Sequence, residues 1–187
     1  EENNMSYRTG TYVAFDGLGK KDPTQSDFRY YATIQAWCAN KNIDFKITNS
    51  HEKTYAVRDS SSRETLYARI QERFRASKQM LMILTRDTRY TGSVLSYEIE
   101  LAVDYYRIPL TIAYPGYDYI LNVEGFRDLW PKALVDRIDG DKIQAIHIPF
   151  KQVCLLDAIS RFSVNGESLK GGKTYYTKEV YKRWGLI

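Results

Sequence analysis

The chain lacks most of the features that announce an easily recognised kind of protein. Only two of its 187 residues are cysteine, Cys38 and Cys154, far apart and without metal-ligand spacing, which excludes a disulfide scaffold and a cysteine-based zinc site. Both fall in segments of helical apolar periodicity and are expected to be buried free thiols in a reducing cytoplasm. No run of about 18 apolar residues occurs, and no signal-peptide pattern opens the chain, so neither a membrane span nor secretion is expected. No Walker-type phosphate loop, dinucleotide fingerprint, zinc spacing or nucleophile elbow is present. Neither charge dominates: 27 basic and 23 acidic residues leave a net +4 and are interspersed, which gives generic nucleic-acid binding poor support.

What the chain does contain is an alternation of short apolar runs and amphipathic helical patterns. Residues 11–15 form a β-rich run ending at Asp16-Gly17; residues 43–47 alternate apolar and polar; residues 79–84 form the most continuous apolar run and suit a central strand. Residues 109–113 and 143–148 complete a set of five expected strands. Between them lie helical patterns over Phe28, Tyr31, Ile34 and Trp37, capped by Ser26 or Asp27; over Leu66, Ile70 and Phe74, opened by Ser62; around Glu98; at residues 132–138; and at residues 151–164. This alternation predicts an α/β fold, a three-layer α/β/α arrangement with a five-stranded parallel sheet in the flavodoxin-like order 2-1-3-4-5. Ligands of such sheets bind beyond the carboxyl ends of the strands where the order reverses, which groups Asp16, Thr85 and the helix bearing Glu98 around one crevice. Residues 1–10 are expected to be disordered or foreign to the natural chain, residues 11–164 to form the domain, and residues 165–187 to be an extension. Its Tyr175, Tyr176, Tyr181 and Trp184 lie among basic residues and are expected to pack on the domain rather than stack on nucleic acid.

The chemical oddity is Glu98. At about 100° per residue, Val94, Leu95, Leu101, Ala102, Tyr105 and Tyr106 share one helical arc and Glu98 lies within it, while Ser96, Glu100 and Asp104 take the other side. A carboxylate facing an interior must be hydrogen-bonded, paired, neutralised or held for chemistry. The structural alternative has its stem lining the core edge and its carboxylate bound to an arginine or a tyrosine. Asp16 suits a turn with Gly17 better than phosphoacceptor chemistry, because the third strand ends in Thr85 and not in an aspartate. His51 and Arg58 lie in a long polar connection, and His147 within a strand reads as structural.

Residues 12–16 (YVAFD), 42–45 (NIDF), 49–52 (NSHE), 58–61 (RDSS), 64–66 (ETL) and 96–102 (SYEIELA) together resemble the TIR-like family of small bacterial and archaeal proteins, which includes the TIR-like component of the Thoeris antiphage system. The resemblance spans roughly residues 11–160. It implies a flavodoxin-like TIR fold and, in active members, cleavage of NAD at the nicotinamide–ribose bond to an ADP-ribose-type or cyclised messenger. The family's catalytic glutamate, in a Trp-x-x-x-Glu block, aligns with Glu98, and the tryptophan position holds Val94. By this resemblance Phe15 and Asp16 lie beneath nicotinamide and ribose, and His51 and Arg58 approach the phosphates. NAD would be a substrate, with no resident cofactor or metal. Partners would be a second copy or another TIR-like protein. The competing reading is a non-catalytic TIR-like or receiver-like interaction module, in which Glu98 only packs; a flavin or nucleotide binder lacks a phosphate loop.

Overall fold

A computed structural model describes residues 8–15, 27–45, 62–86, 88 and 93–187. Its centre is a parallel sheet of β1 (Gly10–Ala14), β2 (Ser77–Ile83), β3 (Leu110–Tyr114), β4 (Ala145–Pro149) and β5 (Thr174–Tyr175). Helices α1 (Phe28–Ala39), α2 (Arg63–Arg75), α3 (Ser93–Glu100), α4 (Lys132–Asp139), α5 (Gln152–Arg161) and α6 (Lys178–Arg183) intervene or follow. A π-helical turn, Leu101–Tyr105, continues α3, and a 3-10 turn, Glu124–Leu129, precedes α4.

The period-2 alternation of the strands divides the core. Tyr12, Ala14, Met80, Met82, Leu110 and Ile112 face one way, joining Phe74 of α2, Leu95 and Ile99 of α3 and Leu134 of α4. Val13, Phe15, Leu81, Ile83, Ile146 and Ile148 face the other way, joining Tyr31 and Ile34 of α1, Leu155 and Ala158 of α5 and Tyr181 of α6. Helices therefore cover both faces, and β2, paired with β1 and β3, is buried on both sides as its apolar run requires. Ser62 caps α2 as expected, accepting from the Thr65 amide at 3.3 Å. No helix among the described residues is long and apolar enough to cross a membrane.

Three expectations are corrected. The order is β1-β2-β3-β4-β5, not 2-1-3-4-5. Residues 43–45 of the expected second strand are turn and irregular chain, residues 46 and 47 lie outside the described residues, and the fifth strand comes from the C-terminal segment. The reversal of order that would mark a crevice is therefore absent among the described strands. Second, Tyr105 is 73% exposed instead of facing the core. The π turn is the cause: the Tyr106 amide reaches back five residues to Leu101 O at 2.8 Å, the wider turn rotates Tyr105 outward, and Tyr106 takes the buried place. Third, of the two expected caps of α1, Ser26 lies outside the described residues and Asp27 occupies the N-cap position without a side-chain capping bond, because its carboxylate is committed elsewhere.

Of the four rings of the C-terminal segment expected to pack on the domain, Tyr176, Tyr181 and Trp184 do so, while Tyr175 is exposed. Tyr176 and Tyr181 are buried against Phe162, Cys154 and Leu155, and Tyr176 Oη donates to Asp157 Oδ2 at 2.6 Å. Cys38, half-buried rather than buried as expected, and Cys154, buried, are both free; burial first, then the Asp157 charge, pushes the Cys154 thiol up to about 12.

Candidate active site

The face of α3 that delivers Leu95 and Ile99 to the core also carries Glu98 inward, where it is 3% exposed. The donor such a carboxylate needs comes from β1: Tyr12 Oη donates to Glu98 Oε1 at 2.5 Å, a length typical of charge-assisted O–H···O bonds. Tyr12 is fixed in turn. Its ring lies flat on Phe74, with centroids 3.9 Å apart and planes 7° apart, and Phe74 stacks on Tyr106 at 5.7 Å. Two further contacts clamp α3 to α2: Tyr67 stacks on Tyr97 at 4.1 Å, and Gln71 Nε2 donates to Tyr97 Oη at 2.8 Å. Val94, one turn before Glu98, packs half-buried against the same core.

Of the other proposed site residues, the two that are described, Phe15 and Thr85, have their partners elsewhere. Phe15 joins the opposite face of the sheet, stacked on Tyr31 at 5.0 Å with Phe28 edge-on at 5.7 Å. Thr85 follows β2 and donates its hydroxyl to Asp27 Oδ1 at 2.9 Å. Asp16, His51 and Arg58 lie outside the described residues.

Sequence reasoning missed a second buried carboxylate. Asp27, 2% exposed, also accepts from Thr88 Oγ1 at 2.9 Å, and Thr88 Oγ1 accepts from the Thr85 amide at 2.8 Å. The start of α1 is thereby tied to the chain leaving β2, the connection that leads to α3. The one available signal was an aspartate and two threonines at opposite ends of the sequence interval, 27 against 85 and 88, and nothing local links them.

His147 is structural, as its position within a strand suggested. Trp130 Nε1 donates to Tyr114 Oη at 2.8 Å. Gly172 O can only accept, so the imidazole proton sits on Nε2, which donates to it at 2.8 Å, and Nδ1 accepts from Tyr114 Oη at 2.8 Å. Every polar atom of the ring is satisfied in the neutral state. Burial lowers its pKa to about 4 against the partly opposing Gly172 hydrogen bond, and burial raises that of Tyr114.

Residues 12–119 match the family model described as Thoeris protein ThsB, TIR-like domain, over more than half of the chain. The chain belongs to the ThsB TIR-like family. The segment matched to the ThsB TIR-like domain opens at Tyr12 and includes Asp27, Thr85, Val94 and Glu98, so the Tyr12–Glu98 pair lies wholly within it. Residues 120–160, which the wider resemblance took in, fall beyond the match, and with the C-terminal segment they add β4 and β5 to the same sheet.

Proposed function

We propose that this ThsB TIR-like protein cleaves NAD at the nicotinamide–ribose bond, with Glu98 as the catalytic carboxylate, and releases an ADP-ribose-type or cyclised messenger in cytoplasmic antiphage signalling. One observation carries the reading: a carboxylate 3% exposed on an apolar helix face, within the residues matched to the TIR-like domain. A buried ion pair or polar group is seldom the most stable filling of a core site, since apolar residues of like volume often do as well or better. A use for the charge accounts for its retention.

The reaction suits one carboxylate. Nicotinamide departs as a neutral group from a cationic ring, so no acid is needed, and the ribose passes through an oxocarbenium-like state that a negative charge stabilises. Glu98 supplies that charge, and Tyr12 holds Oε1 so that the other oxygen has a fixed direction. Asp16 is assigned to the ribose hydroxyls, and His51 and Arg58 to the phosphates. Phe15 supports the end of β1 from below through its stack on Tyr31, and Thr85 acts through the loop it fixes with Asp27. The protein works within an assembly, with a second copy or another TIR-like protein.

Nicotinamide release, followed chromatographically on concentrated protein and on protein mixed with a TIR-like partner, tests the assignment. Glu98→Gln is expected to lower the rate by about 100-fold or more, and equal turnover in the two proteins rules Glu98 out. The non-catalytic interaction module draws on a different observation: Val94 in the tryptophan position, beside a glutamate whose Oε1 is already bound within the fold. For that reading, light scattering and pull-down reveal an assembly that Glu98→Gln leaves intact while no nicotinamide is formed.

A further inference from the structure

The rarest backbone conformations of the described chain meet at one place, and it is not beside Glu98. Arg107 and Asp141, both at φ 51°, are the two non-glycine residues with positive φ among the described residues. Arg107 follows the π turn that ends the α3 segment, and Asp141 follows α4 and Gly140. Both stand where a helix ends in a left-handed residue, a position that glycine takes without strain. Their loops run to the starting ends of β3 and β4 and are joined behind by the Leu110 amide donating to Gln144 O at 2.9 Å. Between them opens a cleft of about 490 Å³, within the size range of small-molecule sites. It is lined by Val103 and Asp104 of the π turn, by Arg107 and Ile108, and by Lys142 and Ile143.

The lining divides by chemistry. Val103, Ile108 and Ile143 are buried and form an apolar floor. Arg107 and Lys142 are exposed at the rim, and among the described residues neither takes part in an ion pair. The acid of the rim, Asp104, is held by Arg137 through Nε at 3.1 Å and through Nη2. Two cations therefore face the cleft unopposed. A cation near a helix C-terminus also suits the helix dipole, but one in the last helical turn would do so without a strained backbone. Strain of this kind, and π turns, concentrate where a ligand is handled.

We propose that this cleft binds a small organic anion, a phosphate ester or carboxylate whose apolar body lies on Val103, Ile108 and Ile143 and whose charge is held by Arg107 and Lys142. The site is at the opposite end of the sheet strands from the connection fixed by Asp27 and does not depend on the role of Glu98.

Titration of the full chain with phenyl phosphate, benzoate, inorganic phosphate and benzyl alcohol, followed by amide chemical shifts, decides it. Phenyl phosphate or benzoate is expected to shift residues 103–108 and 142–144 saturably, with Kd of about 1 mM or tighter. Tighter phenyl phosphate marks a phosphate-ester site and tighter benzoate a carboxylate site. Arg107→Gly, which keeps the left-handed turn in a residue that favours it, and Lys142→Gln are each expected to weaken binding about tenfold. The proposal is overturned if neither organic anion gives a saturable shift, if inorganic phosphate or benzyl alcohol binds as well, or if both variants bind like the wild type.

Discussion

At the scale of single residues, the two halves of the Tyr12–Glu98 pair differ in what their loss exposes. Tyr12→Phe keeps the stack on Phe74 but takes one donor from a buried carboxylate, and is expected to cost about 1–3 kcal/mol in urea unfolding. Glu98→Gln leaves an amide oxygen for the Tyr12 hydroxyl and is expected to cost less. An unchanged stability in Tyr12→Phe would mean that the hydroxyl contributes nothing to holding the glutamate. The inward aim of Glu98 was legible from helical period alone; its partner was not, since Tyr12 stands 86 residues away and nothing in a strand pattern says which helix covers which ring. His147 gives a second residue-scale prediction. It is neutral in the fold with a pKa lowered to about 4, while the unfolded chain takes up a proton near pH 6.5. The stability it contributes is thus fully present above pH 6.5 and is lost as the pH falls toward 4, by about 3 kcal/mol in all. His147→Gln should flatten the pH dependence of unfolding free energy in that window; an unchanged slope would assign it to other groups.

At the scale of elements, sequence period located most helices and strands to within a few residues, because each carries its own apolar stripe. It failed where geometry depends on hydrogen bonding that no side-chain pattern encodes. The π turn after Glu100 is such a case: Tyr105 and Tyr106 look equivalent on a regular helical wheel, and one extra residue in the turn decides that Tyr106 is buried and Tyr105 exposed. Asp27 is another, an apparent helix cap whose carboxylate is taken by Thr85 and Thr88. The strain at Arg107 belongs to this scale as well. Arg107→Gly relieves a left-handed non-glycine residue and is expected to raise unfolding free energy by about 1 kcal/mol, read as a higher melting temperature; a fall would show that the arginine side chain carries folding contacts.

At the scale of the whole molecule, the C-terminal segment contributes Leu169, Tyr176 and Tyr181 to the core. Ala145 donates its amide to Gly171 O at 3.0 Å, His147 holds Gly172, and a Cβ on Gly172 would come within 2.6 Å of Ile143 Cγ2, so the segment seats tightly along β4. Tyr181 is fully buried beside Cys154 in the second core cluster. Tyr181→Ala should cost about 3 kcal/mol or more and should speed labelling of Cys154 by a thiolate-directed reagent, which its burial and raised pKa otherwise slow. Labelling at the wild-type rate would mean that the segment does not guard that thiol. The rings of the extension foretold this packing; the parallel pairing of Thr174–Tyr175 with β4 did not show, because two residues are too few for a period.

That brevity has a colloidal consequence. A parallel sheet that ended on β4 would offer a five-residue, wholly buried strand, Ala145–Pro149, as a template for a neighbouring molecule's strand. Ending instead on a two-residue strand, with Lys178 shortly after it, the sheet presents almost no ladder to extend and a positive charge to anything that tries. The extension closes that margin of the fold against polymerisation, and loosening it should be seen first as turbidity, before any loss of helix.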